Sequence, residues 1–136
     1  MEPEDQDIDT RICTFVAENG DEVIIDEYQE CVSAYYFRNK EMTGGVWLFN
    51  VGKPSGKTFD HPPYPPELEF VVPHLIEGAM VGSDFQATFH EEDEVAVIYY
   101  KTKPVGVLWN GAHPGQSAYA AKDFGGAMKM EIGGQK

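Results

Sequence analysis

Short runs in which apolar and polar residues alternate recur along the chain, and they are rich in Val, Ile, Phe and Tyr. A period of two marks a half-buried β-strand, because successive side chains of a strand point to opposite faces. Residues 11–17 and 22–26 flank Asn19-Gly20. That dipeptide predicts a tight hairpin, since both central positions of a two-residue type I′ turn need positive φ. Residues 33–38 and 46–51 predict a second pair across 39–45. Residues 85–89, 95–101 and 105–109 predict a three-stranded meander, with turns at 90–94 and 102–104.

The faces of these strands narrow the architecture. Phe85, Ala87 and Phe89 share one face; Val95, Val97 and Tyr99 share another, with Ala96, Ile98 and Tyr100 opposite. A strand apolar on both faces is expected to be central and covered twice, and Val46-Trp47-Leu48-Phe49 has the same character. A sandwich, or a sheet with a helix laid on it, meets that demand better than one sheet open to water. Helical signals are few. Ser117 is placed to cap a short helix over 118–123, ended by Gly125-Gly126, and 73–80 and 26–32 hold a turn at most. Residues 52–66 contain five prolines, which excludes a helix interior or a central strand there and makes 62–66 extended. The expected fold is mainly β (or α+β): an antiparallel sheet or sandwich of about seven to eight short strands with one or two short helices. Residues 11–132 form the domain, 1–10 an acidic disordered arm, and 133–136 a frayed tail.

Charge changes the picture from fold to partners. Asp and Glu outnumber Lys and Arg 23 to 10, a net charge of −13. The first thirty residues hold eleven acids and one base, Arg11, whereas five lysines face only Asp123 and Glu131 from Val95 onward. Such a field disfavours nucleic acid and anionic membranes and favours basic proteins. No apolar run approaches the roughly 20 residues needed to cross a bilayer, and the acidic start lacks the apolar core of a signal peptide. Cys13 and Cys31 form no C-x-x-C pair and lie beside apolar residues, so they read as buried, reduced thiols in a cytoplasmic protein.

Motifs with chemistry are weak. Gly52-Lys53-Pro54-Ser55-Gly56-Lys57-Thr58 has three residues between its glycines where a phosphate loop has four, and the prolines after it cannot open a helix. His61, His74, His90 and His113 show no metal-ligand spacing, and the acids at 91–94 lack the pattern of a calcium loop, so no metal or cofactor is expected. Gly115-Gln116-Ser117-Ala118-Tyr119 begins like a nucleophile elbow without its closing glycine; His113, with Asp60 or Asp123, would have to complete it. Trp47 and Trp109 lie in predicted strands, where core packing accounts for them; facing out beside Tyr35, Tyr64 or Tyr119 they would form a platform. The P-x-x-P spacings in 62–66 read as structural.

Two segments carry a resemblance. Val46-Trp47-Leu48-Phe49-Asn50, then a proline-rich loop and Pro66-Glu67-Leu68-Glu69-Phe70-Val71, form the first. The second runs from 95–99 through Gly111-Ala112-His113-Pro114-Gly115-Gln116-Ser117 to 120–125. Together, over roughly 11–130, this layout is similar to small uncharacterised bacterial proteins of toxin-immunity neighbourhoods. The resemblance implies an intracellular binding protein and transfers no functional residue.

The leading expectation is therefore a non-enzymatic binding protein, of inhibitor or immunity type, that presents acidic edges to a basic partner. The candidate binding residues are Asp21, Glu22, Asp26 and Glu27 in one group and Glu91, Glu92, Asp93 and Glu94 in the other. The alternatives are a small-ligand or accessory domain with an aromatic cleft, and an enzyme with a dispersed site.

Overall fold

The computed structural model describes residues 11–28, 30–52, 66, 68–78, 80–90, 92 and 94–130. Nine strands lie among them: β1 (Arg11–Val16), β2 (Glu22–Tyr28), β3 (Cys31–Arg38), β4 (Glu41–Asn50), β5 (Phe85–His90), β6 (Val95–Tyr100), β7 (Lys103–Trp109), β8 (Gln116–Ser117) and β9 (Met128–Lys129). They form a four-stranded antiparallel sheet in the order β1-β2-β3-β4, and a five-stranded sheet in the order β9-β8-β7-β6-β5 whose β8–β9 pair alone is parallel. The mainly antiparallel β expectation holds. The helix over 118–123 does not form: Ser117 lies in β8, and the helices among the described residues are two single 3₁₀ turns, Leu68–Phe70 and Gly82–Asp84.

The turns explain the registers. Asn39-Lys40 joins β3 to β4 and Lys101-Thr102 joins β6 to β7, each with both φ values positive (54° and 68°; 50° and 70°). These are the two-residue turns whose twist matches that of the flanking strands. At Asn19-Gly20 only Gly20 is left-handed, with φ 95°. There Gly20 N–H donates to Ala17 O and Ala17 N–H to Asp21 O, at 2.9 and 2.8 Å. The hairpin is thus a three-residue loop whose glycine closes it as a bulge, and the expected two-residue I′ geometry is displaced to Asn39-Lys40. The second hairpin is accordingly tighter than the 39–45 connection read from sequence.

The two sheets pack face to face. Val23 and Ile25 of β2 and Val32, Ala34 and Tyr36 of β3 are buried on the inner face of the first sheet. Ala96, Ile98 and Tyr100 of β6, Leu108 of β7 and Phe85 of β5 meet them from the second. Phe49 bridges the layers, stacked on Phe85 at 6.3 Å and tilted on Tyr100 at 5.1 Å. Full burial of one such ring stabilises the fold by about 2–3 kcal/mol. Along one side the layers are sewn together. In β4, Thr43 and Leu48 are left without a cross-strand partner, and such bulges bend a strand. The bent edge bonds to the other layer: Gly45 N–H to Ala112 O, Gly115 N–H to Gly45 O, and Trp47 N–H to Gly126 O. A Cβ at Gly115 would collide with the Val107 carbonyl, and one at Gly106 with Leu48 Cδ2, so both glycines permit this close approach. Among the described residues no helix is long and apolar enough to cross a membrane.

Candidate functional site

The acids selected from sequence separate into three environments. Asp21 is buried, only 4% exposed, and is not part of a solvent-facing edge. It follows the Gly20 bulge, which turns its carboxylate inward onto β3. Arg38 at the end of β3 grips it with two bonds, Nε to Oδ1 at 3.1 Å and Nη2 to Oδ2 at 2.7 Å. Tyr36 Oη donates to Oδ2 at 2.6 Å, and the Asp21 backbone N–H donates to Asn19 Oδ1 at 2.9 Å. Arg38 Nη2 also donates to Glu94 Oε2 at 2.5 Å, and Asn110 Nδ2 to Glu94 Oε1 at 3.0 Å. The cluster thereby ties the start of β2 and the end of β3 in one sheet to the start of β6 and the end of β7 in the other. Hydrogen bonding from Arg38 holds the Asp21 carboxyl below its ordinary range, aided by Tyr36 and opposed by burial. Bonds from Asn110 and then Arg38 lower that of Glu94, while burial and Asp21 raise the Tyr36 phenol. Each charge has an opposite partner, so the cluster reads as a clamp. Asp21 leaves the candidate surface, whereas Glu94 keeps a side chain 39% exposed while engaged by Arg38 and Asn110.

Glu22 and Asp26 lie on the outer face of the first sheet, half-buried. The register sets their neighbours: Val16–Glu22–Phe37–Met42 in one row, Thr14–Ile24–Tyr35–Gly45 in the next, and Arg11–Asp26–Ser33–Trp47 in the third. Glu27 falls on the opposite face, across from Val32. Val16 and Met42 are the exposed large apolar residues of these rows, at 62% and 58%. The third row is covered: Ser33 and Trp47 are buried, and Trp47 packs edge-on against Phe124, which packs on Phe70. Glu92 is exposed in the β5–β6 connection, and Glu91 and Asp93 lie outside the described residues.

The second sheet presents a different outer face. Its rows are His90–Val95–Trp109, Thr88–Val97–Val107–Gln116–Met128, and Gln86–Tyr99–Pro104. Val95, Val97, Tyr99, Val107 and Trp109 are half-buried there. The expectation that β6 is covered on both sides is therefore corrected: its Ala96 face is buried and its Val97 face is partly open to solvent. No row carries a Lys, Arg, Asp or Glu. Sequence reasoning missed this surface because six successive apolar residues read as a doubly buried strand. The available signal was the polar alternation of the neighbouring β5, where Gln86, Thr88 and His90 share that face and are exposed.

The remaining candidates for chemistry resolve into structural roles. Ser117 is fully buried; its Oγ donates to Leu48 O at 2.7 Å and accepts from the Tyr119 N–H at 3.0 Å. A hydroxyl so engaged is a brace between β4 and β8 rather than a nucleophile. Asp123 accepts from the Lys129 N–H, and Asp60, His61, Tyr64 and Lys57 lie outside the described residues. His74 Nε2 accepts from the Asn50 N–H at 3.1 Å, which leaves Nδ1 to donate to Val72 O at 2.7 Å. Its ring lies 4.5 Å from Tyr119, so it pins the 71–76 segment to the end of β4. Burial pushes the Cys31 thiol up to about 12 and raises that of Cys13, and thiols held protonated are poor nucleophiles. Among the described residues no three His, Cys, Asp or Glu side chains come together as a metal site. Phe49, Phe85, Tyr100 and Tyr119 pack on one another, as do Trp47, Phe124 and Phe70. Comparison with known protein families, curated proteins and solved structures finds no match.

Proposed function

We propose that the protein is a non-enzymatic binding protein, of inhibitor or immunity type and cytoplasmic, that docks a basic partner protein on the outer face of its first sheet. The observation that carries this reading is the row Val16–Glu22–Phe37–Met42, where an acid and a half-buried ring lie between two exposed apolar side chains. Ile24 and Tyr35 extend the apolar surface into the next row, and exposed Glu18 and Glu41 stand at the ends of β1 and β4. Buried apolar area supplies affinity, and the acids supply orientation and faster encounter with a positively charged surface. The chain's net charge of −13 steers in the same direction. Engagement of Ser117 as a brace and of Asp21 in the clamp weighs against a catalytic role for either.

The test is comparative capture from lysate at low salt, with the parent and a Glu22→Lys, Met42→Ser double variant as baits. Both positions face solvent, so the variant keeps the parent's melting curve. The parent retains a basic protein that elutes as salt rises, and the variant loses it. Equal retention by both baits, or retention indifferent to salt, refutes the reading.

A further inference from the structure

Among the described residues the two sheets have four edges, and three of them are closed. On β4, Gly45 and Trp47 give their N–H groups to the other layer. β9 is two residues long, and its Lys129 N–H goes to the Asp123 carboxylate. β1 carries Arg11 and a register shift at Ile12, and the Gly82 turn lies on it, where a Cβ would stand 3.1 Å from Ile12 O. Charges, bulges and covering segments are what keep an edge strand from pairing with another chain. β5 has none of them: it holds no Lys, Arg, Asp, Glu or Pro, and its register with β6 is unbroken. The ladder fixes which of its backbone groups are free. Lys101 N–H donates to Asp84 O at 2.8 Å, and in an antiparallel pair such bonds recur at every second residue. Gln86, Thr88 and His90 therefore turn their N–H and C=O groups to β6, and Phe85, Ala87 and Phe89 turn theirs away. The Phe85 N–H closes on Gly82 O. Those of Ala87 and Phe89 have no partner among the described residues.

A donor and an acceptor repeated at alternate residues are matched by an extended backbone. The side chains around them set its pattern. Ala87 and Phe89 of β5 and Phe15 of β1 belong to the inner faces and stay half-buried, whereas Gln86, Thr88 and His90 are exposed on the outer one. A strand added here turns apolar residues inward over these rings and polar residues outward. Asp84 stands just before β5 and exposed Glu92 just past it, while the nearby Lys101 holds its ammonium over the Tyr100 ring. In a chain of net charge −13, both ends of the edge thus favour basic residues. A second copy of this chain would have to overcome the repulsion between two such charges and is the poorer occupant. We propose that β5 takes a segment of a partner protein as a further antiparallel strand, one that alternates apolar and polar residues over about six positions and carries Lys or Arg at its ends. The site is an edge of the second sheet, apart from the Glu22 face of the first, so the two readings can fail separately.

Amide hydrogen exchange of the isotopically labelled full chain tests it, with the end-blocked peptide Lys-Val-Thr-Val-Thr-Val-Lys as probe. In the free protein the Ala87 and Phe89 amides should exchange faster than those of Gln86 and Thr88, which β6 already holds. The peptide should slow the first pair by about tenfold or more and leave the second unchanged. Methylating its valine amides, which face β5, should abolish binding, and methylating its threonine amides, which face away, should not. Replacing its lysines by glutamates should weaken binding by about tenfold or more at low salt. Ala87→Pro removes a donor that β6 does not use and should abolish binding with the fold intact; should that variant unfold, the methylated peptides decide. Glu22→Lys with Met42→Ser should bind the peptide as the parent does. No binding at millimolar peptide overturns the proposal, as does protection confined to the first sheet. Ala87 and Phe89 amides already slow in the free protein overturn it too, and give the edge to a second copy if their protection grows with concentration, or to another segment of this chain if it does not. Equal binding of the lysine and glutamate peptides overturns the choice of a basic segment.

Discussion

The two sheets bury the same kind of inner face and expose opposite kinds of outer face. On the first, Glu22 and Asp26 interrupt the apolar rows, and Val16 and Met42 stand out from them. On the second, Val95, Val97 and Tyr99 line up beside Val107 and Trp109 with no charged residue among them. In a molecule of net charge −13, the acids are thus distributed by face rather than merely by position along the chain. One outer face carries acids among its apolar residues, and the other carries none in its paired rows.

The comparison breaks first at β6, where inner and outer positions alternate. Ile98 is fully buried against the first sheet, and Val97 points outward. Ile98→Asp should leave an unpaired charge in the core at a cost of more than about 4 kcal/mol, enough to unfold the domain or drive it to aggregate. Val97→Asp should stay folded and lose about 1 kcal/mol, the scale of an unfavourable strand residue. Urea denaturation of the pair measures the contrast; similar midpoints would mean that both faces of β6 are covered.

That contrast also shows what the sequence could convey. Period-two patterning located β1 to β7 but neither of the two-residue strands β8 and β9, and the Val46-Trp47-Leu48-Phe49 run correctly implied burial on every side. The six-residue run in β6 implied the same and does not have it. Local pattern reports only that side chains are apolar. Whether a second layer arrives depends on partners far away in the chain, such as Phe124 and Gly126 over Trp47, which no window around β4 or β6 contains. The candidate site suffered likewise. Asp21 and Glu94 look like solvated turn acids until the fold brings Arg38 between them across 17 and 56 residues. Ser117 looked like a helix cap because its partner, the Leu48 carbonyl, lies 69 residues away.

A smaller break acts on the seam that keeps the faces back to back. At Gly115 an added Cβ would strike the Val107 carbonyl, with Val46 Cβ at 3.2 Å behind it. Backbone can yield little there, so Gly115→Ala should cost about 2–3 kcal/mol by overpacking. Gly125→Ala, where a Cβ meets nothing within 4 Å, is the control and should melt close to the parent. Equal melting of the two would show that β4 and the 112–117 segment are not in tight contact.

Asp21→Asn weakens the polar clamp at the other end. It removes the charge from the bonds to Arg38 and Tyr36, and charge-assisted bonds of this kind justify a loss of about 1–3 kcal/mol. The sign with pH follows from the lowered carboxyl pKa. A carboxyl that binds its proton less readily when folded contributes stability above its unfolded pKa, near 3.8. That contribution is lost as pH falls below that value through the folded one. The gap between parent and variant, measured by urea titration, should therefore be constant from neutral pH to about pH 5 and shrink towards pH 3. A gap that widens with acid would exclude the clamp.

The least disruptive change sharpens the comparison instead of breaking it. Glu22 on the first outer face and Glu92 at the β5–β6 connection are placed where water reaches them. Glu22→Gln with Glu92→Gln should shift stability by no more than about 0.5 kcal/mol, the usual range for surface positions. The shift should be towards greater stability, because two charges leave a chain that repels itself at −13. Since that gain is electrostatic, it should fade in added salt, with parent and variant converging as the charges are screened. Asp21→Asn provides the counterweight: it removes one charge from the same net total and yet destabilises. If the double Gln variant also lost more than about 1 kcal/mol, Glu22 would be holding structure as Asp21 does. The first sheet's outer face would then have no claim to be a surface kept open for a partner.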